Sequence, residues 1–166
     1  MTYFEAAADR AEHPVDIVER LASLNEWSFE RDEDDEISIV VAGRWTDYTV
    51  AFTWLPDIEA LHISCAFDLN VGESRRAVAC ELATLVNEHL WIGHFDLWPN
   101  ENVAMFRHAM LLAGGIEPSG RQCATMLQAA IDACERHYQA FQFVAWSDKS
   151  AREALDAALF ETAGEA

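Results

Sequence analysis

The spacing of apolar positions changes several times along the chain, and each change predicts an element. Ile17, Val18, Leu21 and Leu24 fall on one stripe behind Pro14, whose fixed φ suits a first helical turn, so a helix is expected from about Pro14 to Glu26. Ahead of it, Thr2 and Glu5 have capping-box spacing, and a short helix rich in alanine is expected to begin at Thr2. The period then shortens to two. Tyr48, Val50, Phe52 and Trp54 alternate with Thr49, Ala51 and Thr53, and Leu61, Ile63, Cys65 and Phe67 alternate with His62, Ser64 and Ala66. With Trp27 to Arg31 and the β-branched run Ile37 to Ala42 they make four strands. Connections this short imply an antiparallel meander, because parallel neighbours need long crossovers.

Helical spacing returns at Val78, Leu82, Leu85, Val86 and His89, predicting a second helix from about Val71 to Trp91, capped by Asn70 and Glu73 and stopped by Gly93. His94 to Trp98 and Val103 to Leu112 read as a hairpin turned by Pro99-Asn100-Glu101-Asn102. Ser119 and Gln122 then cap a long helix whose stripe is Cys123, Leu127, Ala130, Ile131, Cys134, Tyr138 and Phe141. If it reaches Trp146 it has about 28 residues and is about 42 Å long. Ser147-Asp148 interrupts it, and Ser150 with Glu153 caps a last helix with Ala151, Ala154, Leu155, Ala158 and Leu159 on its stripe and Gly164 at its end. The expected fold is α+β, in the order α-β-β-β-β-α-β-β-α-α: an antiparallel sheet with helices packed on it. No Ser- or Gly-rich linker divides the chain, so one domain over 1–166 is expected, with 149–166 a candidate helical appendage.

Composition adds constraints. The 166 residues are 51% hydrophobic and 24% charged, enough to bury a core without disulfide or metal. Asp and Glu number 29 against 11 Lys and Arg, a net charge of −18. Such a field repels phosphate backbones and anionic headgroups, so neither nucleic acid nor a membrane surface is an expected partner. No run approaches the ~20 apolar residues of a spanning helix. Met1-Thr2-Tyr3-Phe4-Glu5 has no basic region leading into an apolar stretch, and cytoplasmic residence is the expectation. Cys65, Cys80, Cys123 and Cys134 have no short zinc or redox spacing and lie among apolar neighbours, as core thiols do.

Charged and imidazole side chains offer little organised chemistry. Asp32-Glu33-Asp34-Asp35-Glu36 begins like a calcium loop, but position 6 is Ile37 and position 12 is Gly43, so a solvated turn is expected. His89 and His94 supply two imidazoles without the further ligands a metal site needs, and no metal site or cofactor is expected. Arg107 should share a strand face with Val103, Met105 and Ala109, and His108 the opposite one. Two readings stand for this pair: Arg107 in a cross-strand ion pair with Asp96, or Arg107 as an anion clamp beside His108 as a general base. The first is preferred, because no nucleophile accompanies them. No phosphate-binding glycine loop and no nucleophile elbow is present, and the chain is not expected to be an enzyme.

The aromatics carry more information. One domain of this size has difficulty hiding six Trp, nine Phe and three Tyr, and exposed aromatics mark partner sites. Trp91, Trp98, Tyr138, Phe141 and Trp146 are the candidate contact residues. Phe141, Phe143, Val144 and Trp146 surround more than one face of the long helix, to be covered either by a second copy or by the last helix.

Several segments resemble the YbjN family of bacterial proteins: Trp91-Ile92-Gly93-His94-Phe95-Asp96, Val103-Ala104-Met105-Phe106-Arg107-His108, Cys134 to Phe141, Val144-Ala145-Trp146 and Ala151 to Leu159. The resemblance covers nearly the whole chain. That family is described as candidate sensory-transduction regulators, and its implied fold is similar to the class I type III secretion chaperones, with a curved antiparallel sheet, usually dimeric. Against those chaperones this chain has an extra strand and an extra C-terminal helix. The resemblance implies no catalytic residue. It implies a homodimeric protein-interaction module, a regulator or chaperone-like binder of a partner polypeptide. A small-molecule or metal sensor is the alternative, and would need a closed pocket holding His89, His94, Asp96 or Arg107.

Overall fold

A computed structural model describes residues 9–164 of the chain. The helix expected at Thr2 lies outside these residues. The elements are α1 (Pro14–Leu24), β1 (Ser28–Glu33), β2 (Glu36–Ala42), β3 (Asp47–Leu55), β4 (Ala60–Asn70), α2 (Arg76–Asn87), β5 (His94–Leu97), β6 (Val103–Leu111), α3 (Gly120–Trp146) and α4 (Ala151–Ala163). The six strands form one open antiparallel sheet in the order β1-β2-β3-β4-β6-β5. The order of elements matches the expectation, and the helices lie on one face.

Period-two burial explains which face. Ile37, Ile39, Tyr48, Val50, Phe52, Leu61, Ile63, Cys65, Phe67, Phe95 and Phe106 point to the helices and are buried. Phe67 sits centrally, with ring centroids 5.2 Å from Tyr138, 5.6 Å from Phe95 and 5.6 Å from Phe141. Each phenylalanine so buried stabilises the fold by about 2–3 kcal/mol relative to exposure. The opposite face carries Ser38, Ala51, Ser64, Arg107 and His94 in one rung, with Val40, Thr49, Ala66, Met105 and Asp96 in the next.

The acidic turn is tighter than expected. β1 continues to Glu33 and β2 begins at Glu36, leaving Asp34-Asp35 as the turn, with a register shift between Arg31 and Glu33. Arg31 accounts for this: its Nε donates to the Glu33 carbonyl at 2.8 Å, and its guanidinium meets Glu19 at 2.7 Å and Asp16 at 3.1 Å on α1. Pairing with Ile37 puts Arg31 on the helix side of the sheet.

Two expectations around α2 are corrected. Asn70 ends β4 instead of capping a helix, because Val71 N–H donates to the Asn102 carbonyl at 2.9 Å and holds the chain to the hairpin. A 3-10 turn, Glu73–Arg75, follows, and α2 starts only at Arg76. It stops at Asn87, short of Trp91. The Asn87 side chain accepts from Phe95 N–H at 2.7 Å and donates to the Phe95 carbonyl at 2.9 Å, a strand-like pair made by an amide.

The capping boxes Ser119/Gln122 and Ser150/Glu153 form as the spacing predicts. α4 lies against α3 and α2 and adds Ala151, Ala154, Leu155 and Ala158 to the core. Arg75 ties the α3–α4 turn down, its Nε donating to the Val144 carbonyl at 2.9 Å.

Candidate functional site

Three cavities among the described residues border the β5–β6 hairpin. The largest, about 700 Å³, is a trough on the face that the helices leave bare. Small side chains of the central strands, Ala51, Ser64 and Ala66, form its floor. Glu36 stands at one margin, and Trp98, Pro99, Met105 and Arg107 at the other. Arg107 is the polar centre of the trough. Its Nε donates to His62 Nε2 at 3.3 Å, and its Nη1 reaches Asp96 Oδ2 at 3.4 Å. The expected ion pair is thus present across the hairpin, long and half exposed, and contributes at most about 1 kcal/mol. Burial first, then the Arg107 charge, holds the His62 imidazole below its ordinary value.

The second cavity, about 500 Å³, opens on the helix side, between the far half of β6 and the start of α3. Ile92, Met110, Met126 and Ala129 give it apolar walls, and His108 and Arg121 supply the groups able to carry positive charge. The third, about 400 Å³, lies where α2 meets β5 and takes in Arg76, Cys80, Asn87, His94 and Asp96.

The five candidate contact residues separate into two groups. Trp91 is fully exposed, Trp98 is 50% exposed and Trp146 is 70% exposed. Tyr138 and Phe141 are corrected: both are buried, because their turns of α3 face the sheet at Phe67, and neither can touch a partner without the core opening. The other three tryptophans are covered: Trp54 is buried, and Trp27 and Trp45 pack on the core. Trp45 Nε1 also donates to the Glu135 carbonyl at 3.1 Å. Of the apolar end of α3, Val144 is buried while Trp146 is not.

Arg107 and His108 do not converge, since neighbouring strand residues face opposite ways: Arg107 aligns with Ser64 on the bare face and His108 with Ile63 on the helix face. His89 acts electrostatically on His137 of α3, and His94 on His62 and His108. Asp96 and Arg107 both line the trough on the bare face. No group of three or more His, Cys, Asp or Glu side chains among the described residues is placed to hold a metal ion. No helix of the described residues is long and apolar enough to cross a membrane.

One feature of this region went unread in the sequence. β5 has four residues and β6 has nine, so much of β6 has no strand on its outer side. The unequal lengths of the two predicted strands already contained that signal.

An open antiparallel sheet with one helix-covered face and one bare face defines the class: an α+β fold like that of the type III secretion chaperones. Within it, the chain belongs to the YbjN family, whose model, described as "Putative bacterial sensory transduction regulator", matches residues 14–143. α4 lies beyond the matched segment. Two solved structures share the fold. One is YbjN from E. coli, called a transcription regulator of putative status in its description, at 9% identity and a TM-score of 0.51, covering 89% of this chain and 93% of that one. The other is a chain of the ExsC–ExsE complex, at 14% identity and a TM-score of 0.50, covering 74% of this chain and 88% of that one. No curated protein matches the chain significantly in sequence.

Proposed function

We propose that this chain is a non-enzymatic protein-interaction module of the bacterial cytoplasm, a sensory-transduction regulator or chaperone-like binder of a partner polypeptide. The observation that carries the reading is the exposure of Trp91 and Trp98 in the segments flanking β5, Trp98 lining the trough and Trp91 standing next to Ile92, which lines the second cavity. Large aromatics at the rim of apolar concavities are the residues that dominate protein–protein binding energy. The family description supports a regulatory role, and one fold neighbour was crystallised as a complex of two proteins. The net charge of −18 disfavours nucleic acid and anionic membranes as partners. A homodimer belongs to the same proposal, with Trp146 as the candidate contact between copies. Affinity capture from native cytosol tests it. A discrete polypeptide should be retained and should weaken about tenfold or more with Trp91→Ala or Trp98→Ala. Recovery of the chain alone, over a range of salt, would overturn the reading.

The trough favours a second reading, a small-ligand sensor, since Arg107, His62 and Trp98 surround about 700 Å³. Thermal shifts against anionic aromatic compounds, abolished by Arg107→Gln, would favour it over the first.

A further inference from the structure

The two margins of the sheet are built differently. β1 carries Glu30, Arg31, Asp32 and Glu33, the charged kind of edge that resists strand addition. At the other margin β5 pairs with β6 only from Leu97↔Ala104 to His94↔Arg107, while β6 continues to Leu111. The backbone parity of this extension is fixed. Leu112 N–H donates to the Glu59 carbonyl at 2.8 Å, so by alternation Met110 and His108 direct their backbone groups to β4. Ala109 and Leu111 therefore direct theirs outward. The same parity puts Trp98 N–H on the Val103 carbonyl at 3.0 Å, on the β5 side. Gly93, at φ +70°, turns the chain out of the sheet just before β5, against the Phe106 ring. That turn is why no strand covers Ala109 and Leu111.

This bare stretch, Ala109-Met110-Leu111, carries no charge, and Leu111 is 72% exposed. It borders the 500 Å³ cavity beneath α3, and the exposed side chains of Trp91, Ile92 and Ile116 belong to the loops at its two ends. No carboxylate lines that cavity, in a chain with 29 of them, whereas Arg121 does.

We propose that the β6 margin at Ala109 and Leu111 takes up an extended segment of a partner polypeptide as an added strand. Alternate apolar side chains of the segment enter the groove against Met110 and Met126, and an acidic group of the segment meets Arg121. The proposal rests on the protein-binding reading above and names its site and the kind of segment bound. Main-chain hydrogen bonds to the two outward residues supply affinity, and the groove supplies specificity. Four residues of β6, His108 to Leu111, extend past its pairing with β5, a length that suits one extended strand.

The test is selection of a phage-displayed library of random peptides about 12 residues long on the full chain, followed by binding of a synthetic winner. Winners should alternate apolar residues and contain Asp or Glu. Ala109→Pro removes an outward N–H that β4 does not use, so the fold should survive while binding weakens at least about tenfold, and Arg121→Glu should weaken it similarly. Should Ala109→Pro not fold, Leu111→Lys and slowed exchange of the Ala109 and Leu111 amides in the complex decide the matter. Winners indifferent to these changes but lost with Trp98→Ala would sink this site and leave the protein-binding reading intact. Failure to select any peptide, together with failure to capture any partner, would sink both. A wild-type dimer that Ala109→Pro makes monomeric would mean that a second copy fills the margin, and would overturn the proposal.

Discussion

Arg107 and His62 meet across the β4–β6 ladder, the guanidinium Nε donating to an imidazole nitrogen at 3.3 Å. An imidazole that accepts this bond is neutral at that nitrogen, and the charge beside it opposes protonation. Arg107→Gln should therefore raise the His62 titration toward the ordinary 6.5 without restoring it fully, because burial is the larger cause. Imidazole NMR shifts across pH 4–9 read this directly. An unmoved His62 titration would show that the contact has no electrostatic weight.

His137 gives the fold an acid sensitivity. It is buried on α3 with its ring 5.8 Å from Phe95, and burial, with Arg136 and His89 adding, holds it down to about 4. Its folded value lies below its ordinary 6.5, so the unfolded chain binds the proton first. Stability is whole above about pH 6.5 and falls as the pH drops toward 4, by on the order of 3 kcal/mol from this group. His137→Phe should flatten that part of the pH–stability curve in urea titrations, and parallel curves would refute the assignment.

Thiol chemistry should divide three to one. Cys65, Cys123 and Cys134 are buried and Cys80 is exposed. Burial pushes the Cys123 thiol up to about 11, and the Cys65 thiol, with burial, pushes Cys134 up as well. A thiol-reactive disulfide reagent should titrate Cys80 alone in the native protein and the remaining three only in denaturant. Rapid labelling of a second native thiol would contradict the packing of β4 on α3.

Gly93→Ala tests the turn that leads into β5. A Cβ there would lie 2.3 Å from the Phe106 ring and 2.8 Å from the Arg107 carbonyl oxygen, and φ is +70°. Overpacking and left-handed strain together should cost about 3 kcal/mol, visible as a lower urea midpoint at an unchanged slope. A cost within experimental error would mean that the loop before β5 yields freely.

The meander was legible because its strands alternate cleanly with one buried face, as in Tyr48 to Trp54 and Leu61 to Phe67. The two capping boxes on α3 and α4 were legible because Ser and Gln or Glu stand three apart ahead of apolar stripes. Asn70 and Glu73 have the same spacing and failed, since Val71 is held by Asn102, a long-range bond that local spacing cannot show. Trp91, Trp98 and Trp146 are exposed as a surplus of indoles suggested, but Tyr138 and Phe141 lie on the buried stripe of α3 that their own periodicity had already drawn. Composition argued for contact and periodicity for the core, and at those two positions packing against Phe67 decides.

Because Asn87 grips both main-chain groups of Phe95, the outermost strand hangs partly from a helix end and not only from its sheet neighbour. α2 and β5 are thereby mechanically in series. A pull or twist applied to that helix would be delivered to the hairpin as a change in where its short arm begins.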